Sequence, residues 1–284
     1  MEAEEYTLRP APPYAVTRHF ELFTLPGRPV PALYEGGVLR VLLAGRPVEI
    51  RVEGEPWEPV IEVRAAPGSR RLVEEYLRVG FDYSRFLEAA GRFPRLRGLA
   101  ERYIGLRPTR SLSLYEALVD SVVKQAISLR LALRIMSRLV ESYGGRAGAW
   151  GRVFYGYPEP RRLAEAGVEE LRSHSLTRVK AAALRGIARA ALEGRLPSLR
   201  EVDEDPGAVV AELTRLYGVG RWTAQLAVAM SSGGLAVGPE DDLAVRRGLS
   251  IALGGGAVEL AALRGYAGLI MYLASLRYEE SKSR

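Results

Sequence analysis

The stretch from Leu213 to Val245, LTRLYGVGRWTAQLAVAMSSGGLAVGPEDDLAV, constrains the chain more than any other. Val209, Val210, Leu213 and Leu216 recur at the three-and-four spacing that puts one apolar helix face on a core. A tight reversal must follow, because Gly218 and Gly220 flank Val219, and glycines this close to a helix end supply positive φ angles. Arg221, Trp222 and Thr223 then open a second apolar helix through Leu226, Val228 and Met230. The spacing predicts helix, Gly-Val-Gly turn, helix over about 208–230.

Such a turn aims successive backbone N–H groups from a helix start, where the dipole is positive, and so offers a seat for a phosphate without reading any base. Asp242 follows in Gly238-Pro239-Glu240-Asp241-Asp242, just ahead of the apolar positions Leu243, Val245 and Leu249. A carboxylate thus stands at a helix start beside the turn. Taken singly, the turn also reads as a plain helix C-cap and Asp242 as an N-cap.

Taken together, L-Y-G-V-G-R-W-T-A followed by P-E-D-D-L-A-V-R-R-G resembles the signature of the helix-hairpin-helix (HhH-GPD) DNA glycosylase superfamily, and within it the 3-methyladenine DNA glycosylase II branch. The resemblance implies an α+β fold: a small antiparallel β-sheet domain over 1–70, then an all-α helix-hairpin-helix glycosylase domain of two helical lobes over 71–284. It implies a monofunctional enzyme of base excision repair that hydrolyses the N-glycosidic bond of alkylated bases flipped out of damaged double-stranded DNA. Asp242 matches the catalytic carboxylate, with Asp241 its neighbouring alternative. Gly218, Val219, Gly220, Arg221 and Thr223 match the DNA-binding hairpin, and Trp222 and Tyr217 are candidates for the base pocket. Bifunctional relatives carry a lysine where this chain has Trp222, so water is the expected nucleophile. No metal and no cofactor is implied beyond a possible monovalent cation at the hairpin; the expected protein is a monomer, intracellular and nucleoid-associated. Two other readings stay open: an 8-oxoguanine-type glycosylase with a displaced lysine, and a non-enzymatic DNA-binding module.

Composition agrees with a polyanionic partner. The formal net charge is +6, and lysine occurs only at Lys124, Lys180 and Lys282, so arginine supplies 37 of the 40 cations. Its planar fork suits phosphate, although a GC-rich or heat-loving source would explain the bias equally. With no cysteine, and histidine only at His19 and His174, thiolate zinc sites, iron–sulfur clusters and a histidine metal centre are not expected. No run approaches the roughly 20 apolar residues that span a bilayer, and the start, MEAEEYTLRP, is acidic rather than a basic signal region.

Along the chain, Val48, Ile50 and Val52 alternate with Glu49, Arg51 and Glu53, and Ile61 and Val63 with Glu62 and Arg64. This is the period of a half-buried antiparallel sheet. Trp57 reads as a turn aromatic covering that sheet. Near residues 66–72 helix periodicity takes over, with Pro94 and Pro108 as breaks, and Gly80-Phe81-Asp82-Tyr83 reads as a linker seating one aromatic in the core. Ser113 and Glu116 have capping-box spacing at the start of an apolar helix. In the family, the segment matching Lys124-Gln125-Ala126-Ile127-Ser128 is an exposed turn that pushes a side chain into the DNA stack. Ala126 holds the wedge position and is small for it, which leaves Gln125 or another loop. Ser142 to Pro160 reads as a Gly- and Tyr-rich connector. Arg178, Lys180 and Arg185 read as a basic helix, and Glu201 to Asp205 as an acidic linker or helix start. Beyond Gly254-Gly255-Gly256, the apolar run from Val258 to Leu276 reads as a helix packing back on earlier ones. In it Leu263-Arg264-Gly265-Tyr266 stands where relatives carry tryptophan.

Overall fold

The computed structural model of the chain describes residues 2–253 and 265–282. The alternating segments form one antiparallel sheet of β1 (Glu4–Leu8), β2 (Leu33–Glu35), β3 (Val38–Leu43), β4 (Arg46–Glu53) and β5 (Val60–Ala65), in the order β1-β5-β4-β3-β2. Ile50 faces Leu39 on one side and Val63 on the other, and Val48 faces Val41 and Ala65. All four of Val48, Ile50, Ile61 and Val63 are buried, so the period-two pattern marks the covered face. What covers it is a short helix the alternation did not announce, α1 (Thr17–Phe23), whose Phe20 packs among Leu39, Val41 and Leu43. Trp57 is 58% exposed and is not part of the core packed on the sheet.

Helices follow: α2 (Arg70–Tyr76), α3 (Tyr83–Gly91), α4 (Pro94–Arg102), α5 (Leu114–Lys124) and α6 (Leu129–Tyr143). The linker expectation at 80–83 holds in detail. Asp82 caps α3 by accepting from the amides of Ser84 and Arg85, and Tyr83 is buried with its hydroxyl donating to Tyr103 O at 2.9 Å. The expected capping box at α5 does not form: Ser113 makes no side-chain cap, and the Glu116 side chain lines the cavity instead of reaching back toward the helix start.

The connector expected over 142–160 is a β-hairpin, β6 (Gly144–Ala149) and β7 (Arg152–Pro158). Trp150 and Gly151 join the strands with φ of 50° and 71°, the two positive values of a mirror-image turn. Val153-Phe154-Tyr155 carried the strand signal, and the surrounding glycines masked it. Arg64 of β5 lies 4.8 Å from the Trp150 ring centroid, and Gly156 rests against Leu42 of β3, which ties this hairpin to the sheet.

The remaining helices are α7 (Pro160–Glu165), α8 (Val168–Arg172), α9 (Arg178–Leu192), α10 (Leu199–Glu204), α11 (Pro206–Leu213), α12 (Arg221–Ser231), α13 (Leu243–Leu253) and α14 (Ala267–Ser281). Two helical lobes result. One core gathers α5, α6, α9, α11 and α12 around Leu118, Leu139, Leu184 and Val228. The other gathers α3, α4, α13 and α14 around Phe86, Leu99, Leu269 and Leu273. The acidic stretch splits its duties: Asp205 caps α11 through the Ala208 amide at 2.9 Å, and Asp203 accepts from Arg110 at 2.7 Å. Gly254 to Arg264 lie outside the described residues; α14 does pack back on α4 and α13.

Candidate active site

The two glycines of the turn do different jobs. Gly218 has φ +76°, and a Cβ there would meet the Ala183 Cβ of α9 at 2.6 Å, so both conformation and space demand glycine. Gly220 corrects the expectation of a second positive φ. At φ −82° and ψ 174° it is the extended N-cap of α12, with open space around it. Having no side chain, it leaves the first amides of α12 without a side-chain cap, which is what an anion seat requires. Val219 is buried in the lobe core and its amide donates to Leu216 O, so it anchors the turn from inside. Arg221 is exposed beside the uncapped amides.

Gln125 and Thr223 were expected to face DNA, yet their side chains meet each other. The Gln125 amide nitrogen donates to Gly218 O at 2.8 Å and to Thr223 Oγ1 at 2.9 Å, locking the α5–α6 turn onto the Gly-Val-Gly turn. Lys180 completes this junction. It is buried, donates to Val123 O and Gln125 O, and so satisfies carbonyls left open at the end of α5; burial lowers its pKa. Of the basic helix, Arg178 is instead an exposed partner of Glu169. Ala126 stands exposed at the tip with φ +52°, and with Gln125 committed no bulky free side chain occupies that tip.

A cavity of about 950 Å³ opens between the sheet layer and both lobes, within the size range of ligand pockets. Asp242 and Trp222 share its wall. The Trp222 indole N–H donates to Asp242 Oδ2 at 2.8 Å, while Oδ1 accepts from the Val245 amide at 3.0 Å. Asp242 is therefore the N-cap of α13 and a cavity carboxylate at once, half-buried, with its orientation set from two sides. Asp241 is more exposed but also borders the cavity. Tyr217 does not: it is 66% exposed and lies outside the cavity lining, because the turn after α11 points it outward.

The aromatic wall comes from places the periodicity did not mark. His19 and Phe23 of α1 stack at 4.5 Å, and His19 Nδ1 pairs with the Tyr272 hydroxyl of α14 at 3.0 Å. Burial, reinforced by the charges of Lys124 and Arg78, pushes the His19 pKa down to about 3, so it is neutral. Tyr266 packs against Phe86 in a lobe core rather than in the cavity; Leu263 and Arg264 lie outside the described residues. Lys124 ion-pairs with Asp120 and sits 5.2 Å from the Phe23 ring centroid. A seven-residue helix is too short to show a period, but the His19–Phe23 spacing of four was a legible hint.

Among the described residues no cluster of His, Cys, Asp or Glu could hold a metal ion, and no helix is long and apolar enough to cross a membrane. Comparison with known proteins is specific. Residues 119–257 match the HhH-GPD superfamily of base excision DNA repair proteins. The chain is 32% identical over 120 residues to DNA-3-methyladenine glycosylase 2 of Escherichia coli, covering 42% of each chain. It is 27% identical over 154 residues to the DNA-3-methyladenine glycosylase of Bacillus subtilis, covering 54% of this chain and 51% of that one. The matched stretch thus spans about half the length of these curated relatives. A solved structure, the 3-methyladenine DNA-glycosylase of Archaeoglobus fulgidus, superposes with a TM-score of 0.76 at 28% identity, covering 95% of this chain and 97% of that one.

Proposed function

From the membership of residues 119–257 in the HhH-GPD superfamily of base excision DNA repair proteins, we infer that this chain is a monofunctional DNA glycosylase that hydrolyses the N-glycosidic bond of alkylated, 3-methyladenine-type bases. One observation carries the reading: a carboxylate, Asp242, held at the wall of a cavity of about 950 Å³ that Trp222, His19 and Phe23 also line, borders the same helix whose uncapped start can seat a DNA phosphate.

In this reading the amides at the start of α12 bind the backbone of damaged double-stranded DNA with Arg221 beside them, and the target nucleotide leaves the stack. As the bond from C1′ to the base lengthens, positive charge develops on the sugar. The Asp242 oxygens stabilise that charge, and one can orient the attacking water. Trp222 holds Oδ2 in place. Water adds at C1′, the base departs with the bonding electrons, and an abasic site remains. Hydrolysis of this kind needs no cofactor. Two carbonyls of the turn are already engaged, Gly218 O by Gln125 and Leu216 O by the Val219 amide.

We read residues 1–70 as the sheet domain and 71–284 as the glycosylase domain, working as a monomer on nucleoid DNA inside the cell. The division has a functional consequence, since α1 supplies His19 and Phe23 to the cavity wall. The 8-oxoguanine-type reading keeps one supporting observation: Lys124 reaches the same cavity, although Asp120 holds it as an ion pair.

The test is excision from duplexes carrying 7-methylguanine, hypoxanthine or 8-oxoguanine, with strand breakage scored before and after hot alkali. Alkali-dependent breakage that is lost in Asp242→Asn supports the proposal. Direct breakage with a borohydride-trapped adduct to Lys124 would favour the lyase reading. Salt-sensitive DNA binding with no excision of any base would leave a binding module.

A further inference from the structure

Helix α5 presents Glu116, Asp120 and Lys124, four residues apart, on the face that lines the cavity. Asp120 and Lys124 neutralise each other. Glu116 has no ion-pair partner among the described residues, and burial pushes its pKa up to about 7. Its ordinary structural task is vacant, since the capping box with Ser113 is not made. Of the phenols around it, Tyr115 donates its hydroxyl to Pro158 O at 2.7 Å. Among the described residues, every cation on the cavity wall is also taken, Lys124 by Asp120, Arg110 by Asp203 and Lys282 by Glu279. The described wall therefore keeps an unbalanced negative charge, and part of it is an acid open to the cavity yet shielded from bulk solvent.

We propose that Glu116 is a specificity-determining residue whose carboxylate supplies the counter-charge to a positively charged, ring-alkylated purine in the cavity; this rests on the glycosylase reading above. An unpaired carboxylate away from bulk water is costly, so in the empty cavity Glu116 is held partly as the neutral acid. A purine alkylated at N3 or N7 is a cation. Entering the cavity that Trp222 and the His19–Phe23 stack line, it brings the missing charge, and Glu116 releases its proton to solvent water and ionises against it. A neutral purine offers no such compensation. Selection then follows the charge that alkylation creates more than the added methyl, which by size alone is a weak discriminator.

Single-turnover excision of 7-methylguanine, a cation in duplex DNA, and of hypoxanthine, a neutral base, is compared for the wild type, Glu116→Gln and Glu116→Asp. In parallel, binding of free 1-methyladenosine, a cation, and of neutral adenosine is followed by tryptophan fluorescence. The expected result is a fall of about tenfold or more in the 7-methylguanine to hypoxanthine rate ratio for Glu116→Gln, with partial recovery in Glu116→Asp, as loss of a charge-assisted hydrogen bond predicts. Preference for 1-methyladenosine over adenosine falls in step. Equal slowing of both excisions, or undiminished preference for the cationic nucleoside in Glu116→Gln, overturns the proposal. Should the wild type excise no base at all, the glycosylase reading fails, and the nucleoside comparison alone decides the role of Glu116.

Discussion

Trp222 and Asp242 are twenty residues apart and joined by one hydrogen bond, indole Nε1 to carboxylate Oδ2 at 2.8 Å. This contact links the helix that opens at the Gly-Val-Gly turn to the helix that Asp242 caps. Asparagine caps helices about as well as aspartate, so Asp242→Asn separates the two duties of the side chain. Excision should fall by roughly 10²- to 10³-fold, the scale for removing a group aimed at developing charge, with little change in melting temperature. Trp222→Phe keeps the ring and deletes the donor; its rate should fall by about tenfold, the order expected for a hydrogen bond to a charged group. Single-turnover kinetics and thermal melting measure both.

The glycines of the turn should respond unequally. Gly218→Ala forces a side chain into a left-handed backbone and against Ala183, and should cost about 1–3 kcal/mol of stability. Gly220→Ala has room and ordinary angles, so its cost should stay at or below about 1 kcal/mol. Urea unfolding of the two variants would show whether they differ in this order.

Lys180 acts as a cap inside the protein rather than as a surface cation. Replacing it with Met leaves Val123 O and Gln125 O without their buried donor and should cost about 1–3 kcal/mol. Gln125→Ala cuts the neighbouring tie to Gly218 and Thr223. Because both groups serve one junction, the double variant should depart from additivity by about 0.5 kcal/mol or more in a double-mutant cycle, and strict additivity would refute the shared role.

Glu116 should make stability depend on pH in a definite direction. Its pKa is raised in the folded state from 4.5 to about 7, so the folded protein holds the proton more tightly than the unfolded chain. The stabilisation is full below about pH 4.5 and is lost as pH rises through about 7. Glu116→Gln lacks this titration, and its stability relative to the wild type should rise by up to about 3 kcal/mol between pH 4.5 and pH 8.5. Melting curves of both proteins across that range would reveal a flat difference if the carboxyl is not shielded.

Much of the architecture was written in the order of residues. The alternation at 48–52 and 61–63 dictated which face of the sheet is covered, and the three-and-four spacing around 209–230 dictated two helices about a glycine turn, because both patterns are local consequences of backbone period. The match around Asp242 likewise marked a helix-start carboxylate. Tertiary structure alone decided what surrounds it. Gln125 and Thr223 turned inward because each satisfies a polar group the other's element would have buried unpaired, and Tyr217 turned outward with its turn. His19 and Tyr272, 253 residues apart, became one wall only when α1 and α14 packed together. Glu116 is an ordinary helix-start acid by spacing; its shielding, and so its chemistry, exists only because the sheet layer and two helical lobes close over it, and no local pattern encodes the dielectric of a cavity.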